Sequence, residues 1–226
     1  MPPHLGQREC SSIYLSCRCT FLSESFCSAP ASYAQARIWL DERVRFDPEK
    51  PAVAIYNMPF LYRLSPGGTL SIAQLRRALQ LVVRKHESLR TSLLFDADEN
   101  MLMQRIIEWS DDDDHQLFAI VESTFHTEEE LRNIMHDERG NSKHFDLGRG
   151  RVFRCHIVHH KEVSRNDRLC ERDALIFNFH HALFDFPSMD IFLSDLDQAY
   201  STGQLTLDND TSLRYVDCEY SIRFFI

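Results

Sequence analysis

Between residues 71 and 95 the apolar period of the chain changes from that of a helix to that of a strand, and no other feature restricts the fold as much. Ser71-x-x-Gln74 has the spacing of a capping box, and Ile72, Leu75, Leu79, Val82, Val83 and His86 then recur at helical intervals. Leu89, Thr91, Leu93 and Phe95 follow in alternation with Arg90, Ser92 and Leu94, which is the pattern of a strand. A turn around residues 96–100 leads into a second strand over residues 101–107, so a β-hairpin is predicted. An amphipathic helix joined to a hairpin has to lay its apolar stripe on a sheet.

The rest of the chain repeats that theme. Residues 32–42 have the composition of a helix, Pro48 and Pro51 force an extended connection, and residues 55–64 read as a strand closed by Ser65-Pro-Gly-Gly68. Thr127 caps a helix whose first turn is Glu128, Glu129 and Glu130, with Leu131, Ile134 and Met135 behind them. Residues 151–160 and 174–180 read as strands joined by a polar connection. A last helix begins with Pro187 as its first residue, carries Met189, Phe192, Leu193, Leu196 and Tyr200 on one side, and ends at Gly203. The predicted class is therefore α/β, or α+β in layers, with a mixed sheet covered by helices. Residues 1–29 show no period and are expected to be a disordered extension, leaving residues 30–226 as a single lobe.

Composition removes several classes of function. Hydrophobic residues make up 43% and charged residues 26% of 226, a globular profile. The net charge of -9, with no basic stripe, argues against a nucleic-acid partner. The acidic run at residues 111–114 reads as a solvated loop. Seven cysteines are an odd number, and Cys10, Cys17, Cys19 and Cys27 lack Cys-x-x-Cys spacing, so neither a zinc site nor a full disulfide framework is indicated. Polar residues interrupt every short apolar run near the N-terminus, and no stretch approaches the ~20 apolar residues of a membrane span. A reduced, cytoplasmic protein with no membrane partner is the expectation.

Chemistry concentrates in His180-His181-Ala-Leu-Phe-Asp185, at a strand end beside a helix N-terminus. If the strand runs through His181, alternation puts Leu175, Phe177, Phe179 and His181 on one face and Ile176, Asn178 and His180 on the other, so the two histidines have different tasks. A histidine takes and returns a proton near neutral pH, which acyl transfer requires. Asp185 has two available roles, orienting an imidazole or anchoring the loop through an arginine, for which Arg90 is the candidate. Opposite faces for the histidines make joint metal binding awkward, so no metal site is predicted. His159-His160, a pair with no following Asp, serves as an internal control and reads as structural or solvent-facing. Trp39 reads as core, His86 as a satisfied histidine and Arg37 as an ion-pair member.

Four segments resemble, in order, motifs of the condensation domains of nonribosomal peptide synthetases. They are Ser32-x-Ala-Gln-x-Arg37-Ile-Trp-Leu40, Lys85-His-Glu-Ser-Leu-Arg90-Thr91, His180-His181-Ala-Leu-Phe-Asp185 and Tyr215-Val-Asp217, with Phe145-Asp-Leu-Gly148 also in its expected place. The resemblance implies a chloramphenicol acetyltransferase-like fold, two α/β lobes forming a V around a tunnel. It also implies substrates carried on the phosphopantetheine arms of acyl or peptidyl carrier domains, with no cofactor bound by the chain itself, and amide or ester formation in the tunnel. His181 is then the base or positioning group, His180 its support, and Asp185 a structural partner of Arg90.

Phe186 stands where the family usually has Gly, and Lys85 where it usually has Arg. The chain is expected to be the N-terminal lobe, ending before the second lobe, which a longer isoform or another chain would supply. On its own it is expected to have weak activity or none. The alternative reading is a non-catalytic module that binds a carrier or another synthetase domain.

Overall fold

The computed structural model describes residues 28–45, 53–109, 117–161 and 167–205. The acidic run at residues 111–114, the prolines at 48 and 51, the fourth motif at residues 215–217 and all but the last two residues of the expected extension lie outside them.

The chain enters as β1 (Ser28–Pro30) and turns into α1 (Tyr33–Val44). Ser32 and Gln35 form a reciprocal capping box: the Gln35 N–H donates to the Ser32 hydroxyl at 3.1 Å, and the Ser32 N–H to the Gln35 side-chain Oε1 at 2.8 Å. The Gln35 amide then donates to Gln104 at 3.2 Å, tying the helix start to a later strand. Ser32→Ala is expected to cost about 1 kcal/mol, read as a lowered melting temperature.

β2 (Asn57–Tyr62) and β3 (Thr69–Ser71) lead into α2 (Ile72–Lys85), where the Gln74 N–H donates to the Ser71 hydroxyl at 3.4 Å. The hairpin is β4 (Thr91–Asp96) with β5 (Met101–Ile106). β6 (Ala119–Phe125), α3 (Glu128–Gly140), β7 (Phe153–His160), β8 (Arg168–Cys170), β9 (Ala174–His180) and α4 (Ser188–Thr202) complete the order. Thr127 caps α3 as expected, accepting from the Glu130 N–H at 3.2 Å. Gly203 ends α4 with φ 69°, a left-handed conformation that glycine adopts without a Cβ penalty.

The main sheet has the order β2-β9-β7-β6, antiparallel except for the parallel β6–β7 pair, and is therefore mixed. β9 is buried along its whole length because helices cover both faces. Phe177 and Phe179 join Phe153 and Phe192 in the core under α2 and α4. Ile176 faces the smaller core with Phe125, Leu131 and Val158. Each such fully buried phenylalanine stabilises by roughly 1.5–3 kcal/mol. A second sheet, β1-β5-β4, packs with α1 around Ile38, Leu93 and Leu102.

Four expectations need correction. Ser28–Pro30 is a strand paired with β5, so ordered structure begins before residue 30. Three residues are too few for a period to show, and only the partner strand makes them a strand. Leu89 and Arg90 belong to a 3-10 turn, Glu87–Arg90, because the chain must turn out of α2 before β4 starts. The polar connection after β7 contains β8, which pairs with β3. Pro187 stands just before α4 rather than opening it, already in helical conformation at φ -60° and ψ -29°. β6 has no counterpart among the predicted elements, although its run of Ile, Val and Thr is the composition of a strand. Among the described residues, no helix is long and apolar enough to cross a membrane.

Candidate active site

β9 ends at His180, so His181 is placed by the turn that follows rather than by strand alternation. The His180 N–H donates to the Val152 carbonyl at 2.9 Å and the His181 N–H to the Tyr56 carbonyl at 2.9 Å. The next three residues are buried, and Phe184 stacks on Phe179 with ring centroids 3.8 Å apart and an interplanar angle of 7°. The loop is therefore fixed from both sides of its backbone and from beneath.

The two imidazoles are held in opposite ways. His181 Nδ1 lies 3.0 Å from the Phe184 carbonyl oxygen, which only accepts, so Nδ1 carries the proton and the lone pair is on Nε2. The side chain lies at the surface, beside the Tyr56 ring at 6.3 Å. His180 is only 3% exposed. Its Nδ1 accepts from the Ala182 N–H at 3.2 Å, so Nε2 is the protonated nitrogen and donates to Glu42 Oε1 at 3.1 Å. The Phe145 ring meets His180 edge-on at 5.7 Å. One histidine presents a basic nitrogen outward, and the other is locked between a backbone amide and a carboxylate.

Asp185 accepts from the Ser188 N–H at 3.1 Å and from the Ser188 hydroxyl, and so caps α4, which Pro187 cannot do with its side chain. The expected Arg90–Asp185 pair does not form. Placed in the 3-10 turn, Arg90 donates to the Ile107 carbonyl at 2.6 Å and lies 3.8 Å from Glu87. Lys85 and His86 both meet Asp195, at 3.0 and 2.6 Å, so His86 is a partnered histidine and Lys85 serves as a point charge. Trp39 is half-buried, stacked on Phe95 at 5.9 Å with the Arg43 guanidinium 3.6 Å above its ring. Arg37 is exposed and helps hold the Asp41 carboxyl below its usual range, after the Tyr56 hydroxyl and Arg45. In the control pair, His159 reaches Glu122 at 3.3 Å and His160 is buried edge-on to Phe125 at 5.1 Å.

Three residues that sequence reasoning did not single out support this site. Tyr56 donates its hydroxyl to Asp41 at 2.8 Å while its carbonyl holds His181. Glu42 holds His180. Glu138, a fully buried residue of α3, accepts from His156 Nδ1 at 2.7 Å, Arg154 Nε at 3.0 Å and the Asn178 amide at 2.8 Å. Burial by itself raises the Glu138 carboxyl, but the bonds from His156 and Asn178 and the charges of Arg154 and His144 outweigh it and set its pKa at about 2. No local pattern in the sequence marks these residues, because every partner is distant in the chain.

A cavity of about 590 Å³ opens on the His180 side, lined in part by Glu42, Arg43, Asn57, Arg151, Arg154 and His180. His181 is not on its wall.

A sequence profile described as the Condensation domain matches residues 27–220. This chain belongs to the condensation-domain family. Among its relatives, the hybrid PKS-NRPS synthetase iccA of Talaromyces variabilis is 31% identical over 191 residues, covering 84% of this chain and 4% of that protein. Fusarin C synthetase of Gibberella moniliformis is 30% identical over 183 residues, covering 79% of this chain and 4% of that protein. In three dimensions the chain is similar to the condensation domain from the monacolin K polyketide synthase MokA, with a TM-score of 0.63, 16% identity and coverage of 89% of this chain and 40% of that one. It is also similar to the X-domain from teicoplanin biosynthesis, with a TM-score of 0.62, 25% identity and coverage of 86% and 38%. The condensation-domain chain thus spans about 4% of the length of these synthetases and about 40% of the solved domains.

Proposed function

We infer that this chain supplies the histidine-bearing half of a condensation site that joins carrier-bound acyl or aminoacyl groups. The supporting observation is the bond from His181 Nδ1 to the Phe184 carbonyl, which leaves Nε2 as the basic nitrogen at the surface. In this reading, an amine or hydroxyl on the acceptor attacks the thioester carbonyl of the donor, His181 Nε2 takes or orients its proton, and the donor thiol leaves with a proton. Both substrates arrive on phosphopantetheine arms of carrier domains, and the chain binds no cofactor of its own. His180 holds the loop in shape through Ala182 and Glu42, and Asp185 anchors it to α4.

A second lobe, in the same longer chain or in another, closes the site. Without it the surface around His181 stays open to water and two arms are not aligned, which removes much of the rate advantage of positioning. The test is to combine the chain with a condensation C-terminal lobe and two loaded carrier domains and to follow product by mass spectrometry. Product is expected with the lobe present, and His159→Ala is expected to leave it unchanged. No product under any pairing sinks the reading.

A second reading, a carrier- or synthetase-binding module without chemistry, draws on Phe186, which is 71% exposed directly after Asp185 and lies 6.1 Å from the Phe60 ring. It requires carrier binding that His181→Ala leaves intact, with no product from either protein.

A further inference from the structure

On the α3 side of the main sheet, three side chains from three elements form an unbroken relay. Ser123 Oγ on β6 lies 2.8 Å from His156 Nε2 on β7, and His156 Nδ1 lies 2.7 Å from Glu138 Oε1 on α3. The order of the bonds fixes their direction. A carboxylate accepts only, so Nδ1 is the donor towards Glu138, and in the neutral imidazole Nε2 is left to accept the Ser123 proton. This is the arrangement in which a serine hydroxyl is made nucleophilic.

We propose that Ser123, His156 and Glu138 form a second reactive centre, independent of the condensation reading, in which Ser123 is a nucleophile towards small carboxylic esters.

Burial is graded along the relay: Glu138 is fully buried, His156 nearly so, and Ser123 half-buried on the edge strand of its sheet among the described residues. The charge lies deep and the serine lies nearer the surface. The Arg154 guanidinium already offsets the carboxylate at 3.0 Å. His156 is therefore not required as its counter-ion. Half-buried Ile134 and Met135 stand one turn before Glu138 on α3 and pack against the same sheet, which favours a small apolar acyl group.

In the reaction, Ser123 Oγ attacks the ester carbonyl carbon while its proton passes to His156 Nε2. The C–O bond to the alcohol then breaks, and His156 returns that proton to the leaving alkoxide. Water, activated by the same nitrogen, releases the acid and restores the serine. Among the described residues, His156 is the one side chain bonded to Ser123 Oγ. An oxyanion held by solvent rather than by aimed donors forfeits on the order of 100-fold or more in rate. Acylation at Ser123 is therefore expected to be easier to observe than rapid turnover.

The test uses the full chain with a fluorophosphonate probe, located by peptide mass spectrometry, and p-nitrophenyl acetate as the ester. One adduct on Ser123 is expected, absent in Ser123→Ala, with labelling slowed at least about 100-fold in His156→Gln. Release of p-nitrophenol above the Ser123→Ala background accompanies it. Ser123 is half-buried on an edge strand and small, so circular dichroism of Ser123→Ala is expected to match wild type and the comparison survives if His156→Gln does not fold. An adduct on another residue, no adduct on folded protein, or release equal to that of Ser123→Ala overturns the proposal.

Discussion

Replacing His181 with alanine is expected to lower product formation by about 100-fold to 10,000-fold, the range that a positioned acid–base group supplies. The measurement is single-turnover condensation between two loaded carriers, with the second lobe present. The fold is expected to stay intact, because the His181 ring lies at the surface and, apart from its bond to the Phe184 carbonyl, the loop is held by the His181 backbone N–H and the Phe184 ring. His180→Ala is a different experiment. It removes a buried ring that accepts from Ala182 and donates to Glu42, so a fall in melting temperature is expected along with a loss of product. A His181→Ala protein that keeps both its melting temperature and its rate would remove the imidazole from the chemistry.

Glu138→Ala is expected to cost about 3–5 kcal/mol of stability, the penalty for stripping one partner from a buried charged network. Arg154, His156 and the Asn178 amide would each lose their carboxylate, and of these links α3 would keep only the bond from the Asn178 amide to the residue 138 backbone carbonyl. Urea denaturation checks this, with the midpoint expected to fall at unchanged slope. The pH dependence follows from the same site. The folded carboxyl titrates at about 2 against an ordinary value of 4.5, so the folded state favours the ionised form. That stability, roughly 3 kcal/mol, is present in full above about pH 4.5 and is lost as the pH falls towards 2. In Glu138→Gln this part of the acid destabilisation is expected to vanish. A wild type and variant that lose stability in parallel between about pH 5 and 2 would show that Glu138 is not the group responsible.

Glu138 also shows how far local sequence reading reaches. Its helix is legible, since Thr127, three glutamates and Leu131 mark its start and its inner face. The glutamate itself sits among polar neighbours on that helix, and nothing local sets it apart. It is the best-connected charge of the site because residues 16, 18 and 40 positions away converge on it. The same holds for Arg90. Its strand reading rests on an alternation that the 3-10 turn interrupts, and with the turn in place the guanidinium reaches Ile107 instead of Asp185.

The period switch over residues 71–95, the caps at Ser71 and Thr127, the strand over residues 174–180 and the stop at Gly203 are readable from the chain alone. Each depends on near neighbours and on the fixed geometry of helix and strand. The layered class follows from them, and so does the family, through motifs that are themselves short local strings. Tertiary structure alone decided how each histidine is held, His181 at the surface with Nδ1 on the Phe184 carbonyl and His180 buried between the Ala182 amide and Glu42. Glu42 and His180 are 138 residues apart, and the Tyr56 carbonyl that holds His181 comes from the neighbouring strand's entry. Hydrogen-bond direction at an imidazole is set by whichever acceptor the fold brings to each nitrogen, and periodicity carries no information about that.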